Sequence, residues 1–100
     1  MPQFREVLRN PEAFDLSYAL FANKSELSLN SDCLVLDPDN VENIDDVPER
    51  AQELGYDYIL MMDDVNSIIT NLTAQSGSPS DELRFDALKF YLDRDAFIII

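Results

Sequence analysis

The sequence predicts an α+β domain in which a small sheet of about four strands has helices packed on one of its faces. First, short apolar runs bounded by turn residues alternate with longer stretches whose apolar residues follow helical spacing. Second, two glycines and five prolines in 100 residues are too few for a Gly-rich linker or a many-turned β architecture. Third, a composition that is 46% hydrophobic and 10% aromatic is typical of a globular protein. We therefore expect one acidic α+β domain over residues 1–100.

The first predicted element is a short amphipathic helix. In the stretch FREVLRN, Phe4, Val7 and Leu8 follow the i, i+3, i+4 spacing of one helical face. The helix should end near Asn10, because the residue before a proline is disfavoured in the helical conformation. Asn10 followed by Pro11 is also a signal for the start of a second helical turn.

Four short apolar segments are predicted to be strands. The stretches NKSE and DPDN, which follow the first and second of them, contain the Asn, Asp and Pro that turns favour. The fourth segment could lie inside the sheet or form an edge that pairs with another chain, which leaves the oligomeric state open. The four segments are SYALFA, DCLVLD, YDYILMM and AFIII.

The stretch DDVPERAQELG is predicted to be a helix between the second and third strands. Pro48 would lie in its first turn, where proline is tolerated. Asp45 or Asp46 could cap its start, and Gly55 would end it.

The stretch DDVNSIITNLTAQSG gives the clearest helical pattern, since its apolar residues form one stripe at i, i+3, i+4, i+7. Asp63 or Asp64 would cap the start of this helix, and Gly77 lies just past its end. The stripe comprises Val65, Ile68, Ile69 and Leu72.

The last predicted helix lies in SPSDELRFDALKFYLDRD. Ser78 is the expected N-cap and Pro79 the first helical residue, with acidic residues in the first turn. Its apolar arc is wide, so it should pack against the sheet and another helix together. The arc comprises Leu83, Phe85, Ala87, Leu88, Phe90, Tyr91 and Leu92.

Residue types needed for common enzymatic and metal sites are missing. There is no His, which excludes hydrolytic triads, and one Cys without His makes a structural zinc site improbable. The stretch DPDNVENIDDVP begins like a calcium loop, but Val41, Glu42 and Pro48 stand where an oxygen ligand, a glycine and a glutamate are needed. We predict that the protein is not an enzyme and has no metal or cofactor, and that Cys33 is a buried strand residue.

Negative charge is concentrated in one half of the chain. The net charge is −13, and residues 31–83 contain 13 acidic residues against one basic residue, Arg50. Such a chain is repelled by nucleic acid and anionic membrane surfaces, and it is attracted to basic surfaces. No signal peptide is recognisable, and the apolar runs are too short to span a membrane, which predicts a cytoplasmic protein.

The acidic tract, residues 37–49 (DPDNVENIDDVPE), has six carboxylates and no basic residue. It could be a solvated surface that only keeps the protein soluble. However, Val41, Ile44 and Val47 are spaced to pin it to the core, which would present the acids as a fixed array for a basic partner. Tyr56 and Tyr58 could anchor that partner, or could be ordinary strand residues. The candidate partner-binding residues are Asp37, Asp39, Glu42, Asp45, Asp46, Glu49, Glu53, Tyr56, Tyr58, Asp63 and Asp64.

Four stretches together resemble a family of small acidic bacterial proteins that includes immunity proteins of contact-dependent growth inhibition and related polymorphic toxin systems. They are FREVLRNPEAF, CLVLDPDN, VPERAQELGYDY and LKFYLDRDAFI, and they span most of the chain. The resemblance implies a cytoplasmic protein that binds a cognate toxin domain and blocks its active site. Many such toxins act on nucleic acid, so their clefts are basic.

The same charge distribution leaves a second class of function open. A protein that mimics nucleic acid could inhibit or regulate a basic DNA-binding protein of the host. A structural or adaptor domain whose acids merely solvate it is a third reading.

Overall fold

In the computed structural model, the chain is described over residues 2–37 and 49–99, without the side chain of Glu49. These residues form four α-helices, three strands and two short 3₁₀ turns, at Pro11–Ala13 and Lys24–Glu26. The elements in chain order are α1 (Phe4–Arg9), β1 (Ala19–Ala22), β2 (Leu34–Leu36), α2 (Glu49–Leu54), β3 (Asp57–Met61), α3 (Met62–Ser76) and α4 (Asp81–Arg94).

The sheet is antiparallel, with strand order β2-β1-β3. In β1, Leu20 pairs with Leu60 and the next residue, Phe21, pairs with Tyr58, so Ile59 is an extra residue on β3. Such a bulge shifts the side-chain alternation of the strand by one position. Ile59 and Leu60 therefore both pack into the larger core cluster.

The first face of the sheet carries the main core. Leu20 and Ala22 of β1 point to this face and pack with α1, α3 and α4. The helical spacing seen in the sequence places the apolar sides of α1 and α3 inward, which confirms both predicted stripes. The fully or almost fully buried members from these helices are Phe4, Val7, Leu8, Met62, Val65, Ile68, Ile69, Leu72, Ala87 and Leu88.

The second face of the sheet carries a smaller cluster. Ala19 and Phe21 of β1 point to it and pack with Ala51 of α2. All four residues of β1 are buried because both of its faces are covered. Packing of helices on one face only, as predicted from the sequence, is therefore not confirmed.

The predicted fourth strand does not form within the described residues, where Ala96–Ile99 lie outside any strand. Helix α4 ends at Arg94, and the segment after it is held against helices rather than paired with the sheet. Phe97 lies against Tyr91 of α4, and the backbone carbonyl of Ile98 accepts a hydrogen bond from Gln75 Nε2 of α3 at 2.9 Å. The described sheet has three strands, and the expectation of about four is not confirmed.

Two predicted helix caps are wrong. Asp63 and Asp64 lie inside the first turn of α3, and the residue before that turn, Met61, gives no side-chain cap. Helix α4 is capped by Ser80, whose side chain accepts a hydrogen bond from the Leu83 N–H at 3.1 Å, and not by Ser78. The first turn of α3 follows β3 without a linker, so no residue remains outside both elements to act as a polar cap.

An ion pair joins α1 to α4 at the surface. Asp81 at the start of α4 accepts hydrogen bonds from Arg9 Nε at 2.9 Å and from the Arg9 Nη2 at 2.6 Å. Arg84 Nη1 donates to the same carboxylate at 3.1 Å. Because α1 and α4 are far apart in sequence, this bridge stabilises their contact only in the folded state.

The bridge predicts a pH dependence of stability. The hydrogen bond from Arg9 is the largest cause holding the pKa of Asp81 below its ordinary value of 3.8. The folded carboxylate thus binds a proton more weakly than the unfolded one, so its stabilisation is present above about pH 4 and is lost as the pH falls through the lowered pKa. We expect Asp81→Asn to lower the free energy of unfolding at pH 7. On acidification the variant should lose less of this free energy than the wild type does, measured by urea unfolding at pH 7, 4 and 3.

The neighbouring, exposed Glu82 provides the control for this experiment. Glu82→Gln removes the same charge from the same helical turn and should track the wild-type pH curve. Parallel curves for Asp81→Asn and the wild type would show that the bridge does not act as described.

Candidate partner-binding surface

Strand β3 brings the two predicted anchors, Tyr56 and Tyr58, to the second face of the sheet. Because the two tyrosines are two residues apart on or beside one strand, their side chains point the same way. Tyr56 is half-buried and packs on the cluster of Ala19, Phe21 and Ala51. Tyr58 is 46% exposed and makes an edge-to-face contact with Phe21, with 6.1 Å between ring centroids. Of the two, Tyr58 has the more accessible ring.

Both tyrosines are held in their protonated form. Burial, followed by the charge of Asp64, raises the pKa of Tyr58. Burial, followed by the charge of Asp32, raises the pKa of Tyr56. At neutral pH the phenol of Tyr58 therefore keeps the proton with which it can donate a hydrogen bond.

The described acidic candidates lie on both sides of the sheet, since Asp37 and Glu53 adjoin the second-face cluster whereas α3 packs on the first face. Asp37 is exposed directly after β2, and Glu53 is exposed on α2, 3.7 Å from Arg50. An ion pair this exposed adds little stability. Asp63 is exposed and Asp64 is half-buried in the first turn of α3, where the helix dipole also favours carboxylates.

The core of the acidic tract lies outside the described residues. The chain leaves β2 at Asp37 and forms α2 from Glu49, so both described ends of the tract belong to elements of the second-face cluster. The predicted site residues outside the described part are Asp39, Glu42, Asp45 and Asp46, together with the side chain of Glu49.

Basic residues are concentrated on the opposite side of the sheet. Four of the seven lie on helices that cover the first face, and a fifth ends α4. Arg50 alone lies on α2, and Lys24 lies in the 3₁₀ turn after β1. Helices α1 and α4 carry as many acidic as basic residues, so their formal charges balance. The five basic residues on α1 and α4 are Arg5, Arg9, Arg84, Lys89 and Arg94.

Sequence reasoning missed three residues as members of a surface, namely Tyr91, Phe97 and Asp95. Tyr91 of α4 lies against Phe97, with 5.8 Å between ring centroids. Asp64 is the largest cause raising the pKa of Tyr91, and Asp95 also contributes. Tyr91 was assigned to the helix core and Phe97 to a strand, so no sequence signal placed them at a surface. Phe97 is 42% exposed.

A groove beside α4 has balanced charge. Its volume is about 630 Å³, and it lies between the turn after β1 and helix α4. Lys24 and Lys89 line it together with Asp86 and Asp93, over an apolar base that includes Phe90. The paired signs give no preference for a cationic or an anionic ligand.

The described residues offer little for metal or thiol chemistry. Across residues 2–37 and 49–99, no three Cys, Asp or Glu side chains are grouped so as to hold a metal ion. Cys33 is buried just before β2, and burial raises its thiol pKa to about 12. The thiolate is the reactive form of cysteine, so this residue is a packing residue at neutral pH.

A salt experiment tests whether uncompensated charge strains the fold. With a net charge of −13, self-repulsion should lower stability at low ionic strength. Raising NaCl from about 50 to about 500 mM shortens the Debye length roughly threefold. We expect the melting temperature to rise over this range, measured by circular dichroism. A flat or falling melting temperature would mean that the acids are dispersed or already paired.

The fold and the surface define a small acidic α+β domain with exposed aromatic side chains, Tyr58 and Phe97. The chain belongs to the family described as a domain of unknown function (DUF7716), whose model matches residues 1–100. No curated protein and no solved structure matches the chain. In the described part of the chain, no helix has the length and apolar character needed to cross a membrane.

Proposed function

We propose that this protein is a cytoplasmic immunity protein that binds a basic toxin domain, of nuclease type, and blocks its active site with an acidic surface. The observation that carries the proposal is the uncompensated acidity of residues 31–83, which contain 13 acidic residues and one basic residue. The cations lie mainly on α1 and α4, whereas the acidic tract begins and ends at β2 and α2. The resemblance noted in the sequence supports the same function.

The proposed mechanism is competition for a nucleic-acid cleft. Carboxylates presented where phosphates would lie occupy the basic groups of the toxin and exclude its substrate. Opposite charges also accelerate encounter, to roughly 10⁸–10⁹ M⁻¹s⁻¹ at low salt in favourable cases. Affinity then comes from a few aromatic anchors in the contact, for which Tyr58 is the accessible candidate.

The test is co-expression with the neighbouring open reading frame, followed by pull-down and an activity assay of the captured protein. We expect capture of a basic protein whose toxicity is suppressed only when this chain is present. A gene without an adjacent toxin reading frame, or a captured pair in which toxicity persists, would contradict the proposal. Capture of a DNA-binding protein of the host would favour the nucleic-acid-mimic reading.

A further inference from the structure

Three aromatic rings and two carboxylates on the β3 side of the sheet are linked to one another by ring contact or by charge, and we call this group the aromatic edge. It consists of Tyr58 on β3, Tyr91 on α4 and Phe97 beyond α4, with Asp64 on α3 and Asp95 after α4. Tyr91 and Phe97 are tilted by 35° with their centroids 5.8 Å apart. Both Tyr58 and Phe97 are more than two fifths exposed.

The turn after α4 builds this edge. Asp95 adopts a left-handed conformation, with φ 53° and ψ 39°, and its N–H donates to the Tyr91 carbonyl at 2.8 Å. This stops the helix and turns the chain back, so that Phe97 lies over Tyr91. The charge of Asp95 also acts on the Tyr91 phenol.

Strand β3 adds the third ring and α3 adds the second carboxylate. Because α3 begins directly after β3, Asp64 lies only six residues beyond Tyr58. Its charge acts on both phenols, since it raises the pKa of Tyr58 and of Tyr91. The carboxylate of Asp64 therefore lies within electrostatic reach of both phenols.

The chain places its own cations over other rings. Lys89 Nζ lies 5.6 Å from the centroid of Phe85, and the Arg94 guanidinium carbon lies 6.0 Å from that of Phe90. All seven basic residues lie in the described part of the chain, and there none of them is stacked on a ring of the aromatic edge. Electron-rich ring faces next to carboxylates attract a cation, so this edge is complementary to one supplied from outside.

We propose that the aromatic edge binds an arginine side chain of a basic protein partner, with the guanidinium stacked on the rings and paired with the carboxylates. Arginine fits better than lysine, because its planar guanidinium stacks on aromatic faces and donates to two carboxylates at once. A second copy of this chain is disfavoured as the occupant, since each copy has a net charge of −13. The inference rests on the proposed function only in taking the partner to be basic.

The first experiment uses a small probe and needs no toxin. Acetyl-arginine amide and acetyl-lysine amide are titrated into the protein at 50 mM salt, and the aromatic ring signals are followed by NMR. We expect arginine to shift the Tyr58, Tyr91 and Phe97 signals and to bind more tightly than lysine. Replacing both carboxylates, Asp64→Asn with Asp95→Asn, should weaken the arginine affinity about fivefold, as expected for two exposed ion pairs.

The matched control removes the same charge from α4 at sites away from the edge. Glu82→Gln with Asp86→Asn changes two exposed residues and should leave the arginine affinity unchanged. Asparagine tolerates the left-handed conformation at position 95, so the test variant keeps the turn. Equal loss in both double variants, equal binding of lysine, or shifts confined to other residues would overturn the inference.

A second arm separates this inference from the proposed function. Once a partner is captured, Phe97→Ala should weaken its affinity roughly tenfold or more, whereas Ile99→Ala, at a residue that is 89% exposed, should leave it unchanged. Capture of a toxin with no effect of Phe97→Ala would refute the arginine site and leave the immunity proposal standing. Specific arginine binding with no toxin captured would leave the site standing and refute the immunity proposal.

Discussion

Reversing three acids of the acidic tract, Asp45→Lys, Asp46→Lys and Glu49→Lys, is expected to slow association with the basic toxin about 10- to 100-fold at 50 mM salt. The long-range field of the tract accelerates encounter, and the reversal replaces attraction with repulsion over the same region. Electrostatic steering acts mainly on the association rate, so the dissociation rate should change less. Stopped-flow association measured from 50 to 500 mM salt gives both the rate and its salt dependence.

The control variant makes the same charge change outside the acidic tract. Glu12→Lys, Glu82→Lys and Asp86→Lys alter exposed acids in the 3₁₀ turn after α1 and on α4. If the acidic tract faces the partner, this control should retain most of the association rate and its salt dependence. Rates of the wild type that do not vary with salt, or equal loss in both triple variants, would refute steering by the tract.

Truncating the ring of Phe4 should have the largest effect on stability, at about 3–5 kcal/mol for Phe4→Ala. Phe4 is fully buried in the main core and makes an edge-to-face contact with Phe85, with 5.8 Å between ring centroids. Its N–H also donates to the Ser31 carbonyl at 2.8 Å, which fixes the ring against the core. Domains of this size have total stabilities of about 5–15 kcal/mol, so this one change could unfold most of the protein at room temperature.

Urea unfolding followed by circular dichroism measures this loss, with Phe4→Leu as a milder variant that keeps the site apolar. Ile99→Ala removes an apolar side chain that is 89% exposed and should change the free energy of unfolding by less than about 0.5 kcal/mol. A loss below about 1 kcal/mol for Phe4→Ala would contradict the packing of α1 in the core.

Local patterns in the sequence predicted most of the elements correctly. The stripe on α3 is confirmed, because a period of 3.6 residues puts Val65, Ile68, Ile69 and Leu72 on one side of any helix. Gly77 ends that helix with φ 82°, a conformation that residues with a side chain rarely adopt. Such signals depend on a few neighbouring residues, so they can be read without knowledge of the tertiary structure.

The aromatic edge could not be predicted in the same way. The apolar run AFIII has strong strand propensity, yet Phe97 packs on Tyr91 and Ile98 is held by Gln75 of α3. Propensity alone does not decide between pairing with a sheet edge and packing on two helices, because the result depends on which surface lies within reach. The exposure of Tyr58 likewise follows from the bulge at Ile59, which only pairing with β1 reveals.

Composition and order along the chain are sufficient to show that the protein is strongly acidic, that its charge is polarised, and that it alternates strands with helices. The packing of the chain determined that α2 contacts the second face, that Phe97 lies against Tyr91, and that Asp64 comes within electrostatic reach of Tyr58 and Tyr91. The difference has a physical cause. The charge and the apolar periodicity of a stretch can be read from its own residues. A surface site depends on which distant segments of the chain pack against the same apolar residues in the folded protein.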